Sequence, residues 1–171
     1  FFCCDKLQKI DMQNFDFSSV TSLNEWFSLC ENLKEITFPT SANCQKLQTL
    51  RYCFDSTKLQ IIDLSFIETE RMLDLSYSFS NSNAKKIILP KSNVLHLDNC
   101  FECCDSLEEL VAPISLYANK FKNIFFGCEN LQLINFSKVK VGTEKILNQL
   151  TNKNNNNTLP EDCVVILPNV K

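Results

Sequence analysis

The chain has 171 residues, 44% hydrophobic and 22% charged, enough for one domain or one compact array to bury about 70% of its unfolded surface without a partner. Its 17 basic and 20 acidic residues leave a net charge of −3, which argues against a phosphate-backbone binder, because that task needs clustered positive charge. The two glycines, Gly127 and Gly142, allow neither a P-loop nor a GxGxxG fingerprint, and a single histidine, His96, rules out a two-histidine metal site. There is no window of 18 apolar residues, so no membrane insertion is expected, and Phe1-Phe2-Cys3-Cys4-Asp5 lacks both an initiator Met and the order of a signal peptide. The chain is expected to be a piece of a longer protein.

One pattern recurs along the chain. Phe1 to Met12 carries Cys4 and Leu7 in a frame F-x-x-C-x-x-L-x-x-h-x-h, where h is apolar. Phe27 to Pro39 repeats it with Cys30, Leu33, Ile36 and Phe38. Two degenerate copies follow, Phe54, Thr57, Leu59, Ile62, Leu64 and then Phe79, Ser82, Ala84, Ile87, Leu89, with a small hydroxyl residue where the cysteine stood. Phe101 to Pro113 and Phe125 to Phe136 restore the full frame, and Val165-Ile166-Leu167-Pro168 is the remnant of a seventh. The leading apolar residue falls at Leu7, Leu33, Leu59, Ala84, Leu107 and Leu131, in steps of 26, 26, 25, 23 and 24. A period in this range is the mark of a stacked repeat.

Each unit has two parts. The L-x-x-h-x-h stretch alternates and is rich in β-branched residues, which predicts short strands centred near Ile10, Ile36, Ile62, Ile87, Leu110 and Ile134. Upstream, Val20, Leu23, Trp26, Phe27, Cys30 and Leu33 recur at spacings of three and one, as do Val94, Leu97, Cys100, Phe101, Cys104, Leu107 and Ala118, Phe121, Ile124, Phe125, Cys128, Leu131, which predicts a short helix packed behind each strand. Such a unit cannot bury its apolar side alone, so the copies must stack. The expected fold is an α/β repeat, a curved solenoid of about six to seven units over residues 1–171, with parallel strands on one face, short helices on the other, and Phe, Cys and Leu ladders between. The Asn-rich tract within 148–162 cannot bury apolar surface and is expected to be a polar loop inside the array.

The frame F-x-x-C-x-x-L-x-x-I-x-h-P, with Asn14-Phe15-Asp16-Phe17-Ser18-Ser19-Val20-Thr21 in the first copy, resembles the BspA-like leucine-rich repeats of bacterial and protist surface proteins. The resemblance covers Phe1 to about Phe136 and Val165 to Pro168, and it implies a leucine-rich-repeat solenoid and a surface or adhesion role. Two copies lack the Cys, and the residues before Val165 break the period.

The ten cysteines are read from their place in the repeat. Cys4, Cys30, Cys104 and Cys128 share one position with Thr57 and Ser82, so small size is the expected requirement, with buried, reduced thiols as the result. A disulfide framework of an extracellular chain stands as the alternative. Adjacent Cys3-Cys4 and Cys103-Cys104 diverge and make poor zinc ligands. The carboxylate pairs Glu108-Glu109, Glu161-Asp162 and Asp63 near Glu68 alternate with basic residues on exposed positions, and His96 is expected on the surface. No catalytic group, cofactor or metal is therefore assigned, and Asn135-Phe136-Ser137 and Asn156-Asn157-Thr158, which fit the glycosylation pattern, carry little weight.

With the central strand residues facing inward, their neighbours form two outward rows. One is Lys9, Glu35, Ile61, Lys86, Glu109, Leu133, Val164; the other is Asp11, Thr37, Asp63, Ile88, Val111, Asn135, Ile166. Ile88, Val111, Leu133, Val164 and Ile166 make the later half apolar and are the candidate partner-binding residues. Two functions are open: a non-catalytic protein-interaction module of a surface protein, and an intracellular structural component if the thiols are free. No nucleic-acid partner is expected.

Overall fold

The computed structural model describes residues 1–112, 115–116, 122–137, 148 and 159–167. Each repeat closes one coil of a solenoid. The predicted strands form as β1 (Lys9–Asp11), β2 (Glu35–Thr37), β4 (Ile61–Asp63), β6 (Lys86–Ile88), β8 (Glu109–Val111), β10 (Leu133–Asn135) and, in the seventh copy, β11 (Val164–Ile166). Five of them make one parallel sheet in the order β11-β10-β8-β6-β4, and β1 and β2 pair separately. Each central residue is turned inward: Ile62, Ile87, Leu110 and Ile134 are buried, while Ile10, Ile36 and Val165 are half-buried. A second parallel sheet runs behind the first, built from β3 (Ala42–Asn43), β5 (Ile67–Asp74), β7 (Lys91–His96) and β9 (Ser115–Leu116) in that order.

The short helices expected opposite the strands do not form in any described coil. Their place is taken by the second sheet and by a stack of β-turns. Along the second coil, the N–H groups of Leu23, Glu25, Phe27 and Leu29 donate to the carbonyls of Thr49, Arg51, Cys53 and Asp55 in the next coil, at 2.8–3.0 Å. The N–H groups between them stay in their own coil: Trp26 donates to Leu23 O, Ser28 to Glu25 O and Cys30 to Phe27 O. The same alternation recurs in the following coils, from Leu50, Tyr52, Phe54 and Ser56 to Asp74, Ser76, Ser78 and Ser80, and from Leu75, Tyr77, Phe79 and Asn81 to His96, Asp98, Cys100 and Glu102. A helix would keep every interior N–H within its own segment, whereas here half of them bind the neighbouring coil.

This ladder requires a left-handed residue two places before and two places after each repeat Phe. Glu25 and Leu29, Tyr52 and Ser56, Tyr77 and Asn81, Asn99 and Cys103, and Asn123 all have φ between 51° and 59°, and Gly127 has φ 78°. For residues other than Gly and Asn that conformation costs about 1–2 kcal/mol, a cost offset by inter-coil hydrogen bonds and by burial. At Gly127 space is also short, since a Cβ there would lie 3.1 Å from Cys103 Cα. The turns place inward residues three and four apart, which is why the sequence pattern looks helical.

The inward Phe residues form one stack through the core. Phe1, Phe27, Phe54, Phe79, Phe101 and Phe125 follow one another at centroid distances of 5.3, 5.7, 5.9, 5.5 and 5.4 Å, with Phe27 and Phe54 inclined by 24° and the other pairs within 6° of parallel. Offset stacking adds about 0.5–1.5 kcal/mol per pair beyond burial. The cysteine position runs alongside. Cys30, Cys104 and Cys128 are buried as expected, whereas Cys4 is only half-buried. The tract expected as a loop over 148–162 lies mostly outside the described residues, as do Ala118 and Phe121; of its end, Leu159 and Pro160 are half-buried.

The turn ladder makes a direct prediction at Glu25, an exposed left-handed residue. Glu25→Gly should raise stability by about 1 kcal/mol, and Glu25→Val should lower it by at least as much. Urea unfolding of the two variants checks the opposite signs; equal effects would mean that position 25 carries no strain.

Candidate interaction surface

The five-stranded sheet presents the two expected rows. Strand register aligns Ile61, Lys86, Glu109, Leu133 and Val164 in one, and Asp63, Ile88, Val111, Asn135 and Ile166 in the other. Sheet geometry sets neighbours in a row about 4.7–4.9 Å apart. All five candidate partner-binding residues therefore share one face. Ile88, Val111 and Leu133 are half-buried between flanking strands, while Val164 is 58% and Ile166 40% exposed on the last strand. They form a diagonal band, with Ile88 and Val111 adjacent in one row and Leu133 and Val164 adjacent in the other.

The polar members of the face are engaged. Lys86 Nζ lies 2.8 Å from Glu109 Oε2, and Lys85 Nζ 3.0 Å from Glu108 Oε1 just outside the rows. The pair of candidate carboxylates at 108 and 109 is thus spent on neighbouring lysines. At the earlier end Lys9 Nζ meets Glu35 Oε1 at 2.6 Å. Such exposed pairs contribute about 0–1 kcal/mol each. The Asp and Asn side chains that end the strands close turns: Asp63 Oδ1 accepts the Ser65 N–H at 2.8 Å and Asn135 Oδ1 accepts the Ser137 N–H at 3.0 Å. Asp11 does the same for Gln13.

One residue escapes the sequence-based division into a polar first half and an apolar second half. Ile61, on the first strand of the five-stranded sheet, is 62% exposed at the opposite edge of the same face, beside Lys86 in its row. Its signal was present in the row itself, where it stands among Lys9, Glu35 and Lys86. His96 ends β7 in an exposed position, as expected.

The laddered cysteines do more than fill space. Cys30 Sγ donates to Phe1 O at 3.0 Å, Cys104 Sγ to Phe79 O at 2.9 Å and Cys128 Sγ to Phe101 O at 3.0 Å. Thr57 Oγ1 donates to Phe54 O at 3.0 Å, and Ser82 Oγ lies 3.6 Å from Cys104 Sγ. The position selects a small hydrogen-bond donor, which is what Cys, Ser and Thr share beyond size. All ten cysteines are unpaired. Burial pushes the Cys53 and Cys100 thiols well up and that of Cys44 up to about 11, and the Cys128 thiol is raised by the Cys104 thiol beside it and by burial. Thiols held protonated at neutral pH are poor nucleophiles. Among the described residues no group of three or more His, Cys, Asp or Glu side chains is placed to hold a metal ion, and no helix is long and apolar enough to cross a membrane.

A parallel-strand solenoid with stacked Phe and Leu positions and an open sheet face defines a leucine-rich-repeat array. The BspA type leucine rich repeat region matches residues 1–70 and 51–166 in six copies, and the chain belongs to that family. Neither a search of curated proteins nor one of solved structures found a match.

The thiols set a pH dependence. Unfolded cysteines ionise near pH 9, whereas burial makes Cys44, Cys53 and Cys100 keep their protons to higher pH, so above that point the unfolded state binds fewer protons and stability falls as pH rises. Stability should be flat with respect to these groups below about pH 8 and decline between about pH 9 and 11. Replacing Cys44 and Cys53 by Ala should flatten the decline in urea unfolding curves; an unchanged slope would remove the thiols as its cause. At the laddered position, Cys104→Ser should be tolerated and Cys104→Val should cost about 0.5–1.5 kcal/mol more, as the Phe79 carbonyl loses a donor.

Proposed function

We propose that the array is a non-catalytic protein-interaction module of a surface or adhesion protein, and that it binds its partner through the apolar band of the five-stranded sheet. The observation that carries this reading is the exposure of Val164, Ile166 and Ile61 on the same face as Ile88, Val111 and Leu133. Earlier coils hold Lys9, Asp11, Glu35 and Thr37 at the equivalent places, so the repeat itself does not need apolar residues there. Each large side chain left in water forgoes about 1.5–3 kcal/mol of possible burial, and contiguous apolar surface of this kind marks a contact site. The family supports a protein ligand; the surface role rests on the resemblance of the repeat to surface-protein repeats. The Glu108 and Glu109 carboxylates are engaged by lysines, and burial holds the Cys53 and Cys100 thiols protonated, which supports a non-catalytic reading.

The unpaired cysteines favour a second reading, a scaffold component of an assembly in a reducing compartment. The two readings separate by experiment. Antibody to the array should label intact, non-permeabilised cells that make the protein, and thiol titration of the purified chain in denaturant without reductant should find fewer than ten thiols if an oxidising compartment has bridged some.

The face itself is tested by the double change Ile88→Lys with Val111→Asp. Both residues lie on the outward rows, so the urea midpoint should move little, while retention of proteins co-purifying with the wild-type array should fall at least about tenfold. Equal retention by a folded variant would place the contact elsewhere, and unfolding of the variant would move these residues into the core.

A further inference from the structure

The stacking of the coils decides which of the ten cysteines can meet. The laddered position runs Cys4, Cys30, Thr57, Ser82, Cys104, Cys128, so it sets cysteines on adjacent coils only at 4 and 30 and at 104 and 128. In the column just before the repeat Phe, Ser78 lies between Cys53 and Cys100, and in the column two places after it Cys103 has Asn81 on one side and Gly127 on the other. Around Cys104 and Cys128 the two coils are pinned on both flanks. The Phe101 N–H donates to Ile124 O at 3.1 Å and the Cys103 N–H to Phe126 O at 2.7 Å, the Phe101 and Phe125 rings stack at 5.4 Å, and Leu110 pairs with Ile134. A Cβ at Gly127 would lie 3.1 Å from Cys103 Cα. Coils stacked at sheet spacing, about 4.7–4.9 Å, bring equivalent Cα atoms within the roughly 4.4–6.8 Å that a disulfide spans. The two side chains also point the same way, since Cys104 Sγ donates to Phe79 O at 2.9 Å and Cys128 Sγ to Phe101 O at 3.0 Å, each onto the coil before. At the preceding step of the ladder, Ser82 Oγ comes within 3.6 Å of Cys104 Sγ.

We propose that Cys104 and Cys128 are a redox site, which closes a disulfide between the coils of β8 and β10 under oxidising conditions and opens it under reducing ones. The oxidant is a small disulfide of the glutathione class. One cysteine thiol loses its proton, and its sulfur attacks the donor disulfide, forming a mixed disulfide and expelling one glutathione thiolate. The second cysteine, deprotonated in turn, attacks the cysteine sulfur of the mixed disulfide, forms the bond between residues 104 and 128 and expels the second glutathione thiolate. The expelled thiolates take up the two protons, so two cysteine thiols are oxidised and one glutathione disulfide is reduced to two thiols. The new bond strands no carbonyl. Phe79 O keeps the Ser82 N–H at 3.1 Å and Phe101 O keeps the Cys104 N–H at 3.2 Å after both Sγ donors are gone. Both sulfurs are buried, so exchange waits on local opening of the turns and takes minutes to hours. The strands it ties carry Val111 and Leu133, so the site bears on the later half of the open face. It does not depend on which functional reading holds: an oxidising surroundings closes the bond and a reducing compartment keeps it open.

The test holds the folded full chain for several hours in glutathione buffers that run from fully reduced to fully oxidised. Each sample is then unfolded in acid, its remaining thiols are alkylated, and the fragments are mapped by mass spectrometry. Towards the oxidised end Cys104 and Cys128 should escape alkylation together in one disulfide-linked fragment, and dithiothreitol should restore both thiols. Cys103→Ser should keep the link, whereas Cys104→Ser, which preserves a small donor in the ladder, should abolish it. The bridged chain should melt about 5–10 °C above the reduced one, because the closed loop restricts the unfolded chain. Full alkylation of Cys128 at every glutathione ratio would overturn the site. A link to Cys128 that persists in folded Cys104→Ser would give its partner as Cys100 or Cys103 and overturn the pairing, and an unshifted melting midpoint in the bridged chain would overturn the tie between the coils.

Discussion

The main-chain pairing between coils is the constraint from which the remaining structure follows. Every coil must offer its backbone groups to the next along two sheets and also around the turns that join them, because a buried amide without a partner is costly. On the turn side this is met by sending alternate N–H groups outward along the array and folding the intervening ones back onto residues three earlier. That alternation forces a left-handed residue on either side of the repeat Phe. With the turns so fixed, the Phe rings can only lie above one another, and their spacing of 5.3–5.9 Å is the pitch of the coils seen in side chains.

Polar side chains near the core serve the same pairing. Three Cys and the Thr of the laddered position donate to Phe carbonyls, and amides reach back one coil, Asn32 Nδ2 to Asp5 O at 2.7 Å and Asn130 Nδ2 to Asp105 O at 2.6 Å. Asp55 shows the limit of this economy. Burial raises its pKa, and hydrogen bonds from Asn81, Ser56 and Ser28 only partly oppose that. Residues that face away from the core are released from these duties, so their chemistry is set by what the surface meets. The contrast between Lys9, Glu35 and Asp11 on early strands and Leu133, Val164 and Ile166 on late ones belongs to that released set.

Much of the array was legible because one environment recurs six times. Phe27 alone says little, whereas six Phe at a common offset from Leu and Ile identify an inward ladder, and all the strand centres from Ile10 to Ile134 fall where the alternation put them. Two misreadings came from the same place. Inward residues spaced by three and four match both a helix and a run of β-turns, and the distinction lies in whether an N–H finds its acceptor in its own coil or the next. Thr57 and Ser82 suggested a rule of size because a sequence shows what atoms occupy a site but not the partner they reach, the Phe54 carbonyl for Thr57 and the Cys104 thiol for Ser82. Ile61 was passed over because its neighbours along the row, Glu35 and Lys86, are charged, and only the structure shows that its own side chain is left in solvent.

What the sequence by itself determined was the period, the inward positions, the order of the strands and the two outward rows, all of which follow from local alternation repeated at near-constant length. Only the tertiary structure decided that the back of each coil is a sheet and a turn ladder and that the thiols are donors. Each of those depends on where a hydrogen-bond partner some 22 to 29 residues away comes to rest, and no pattern within a single repeat encodes that position.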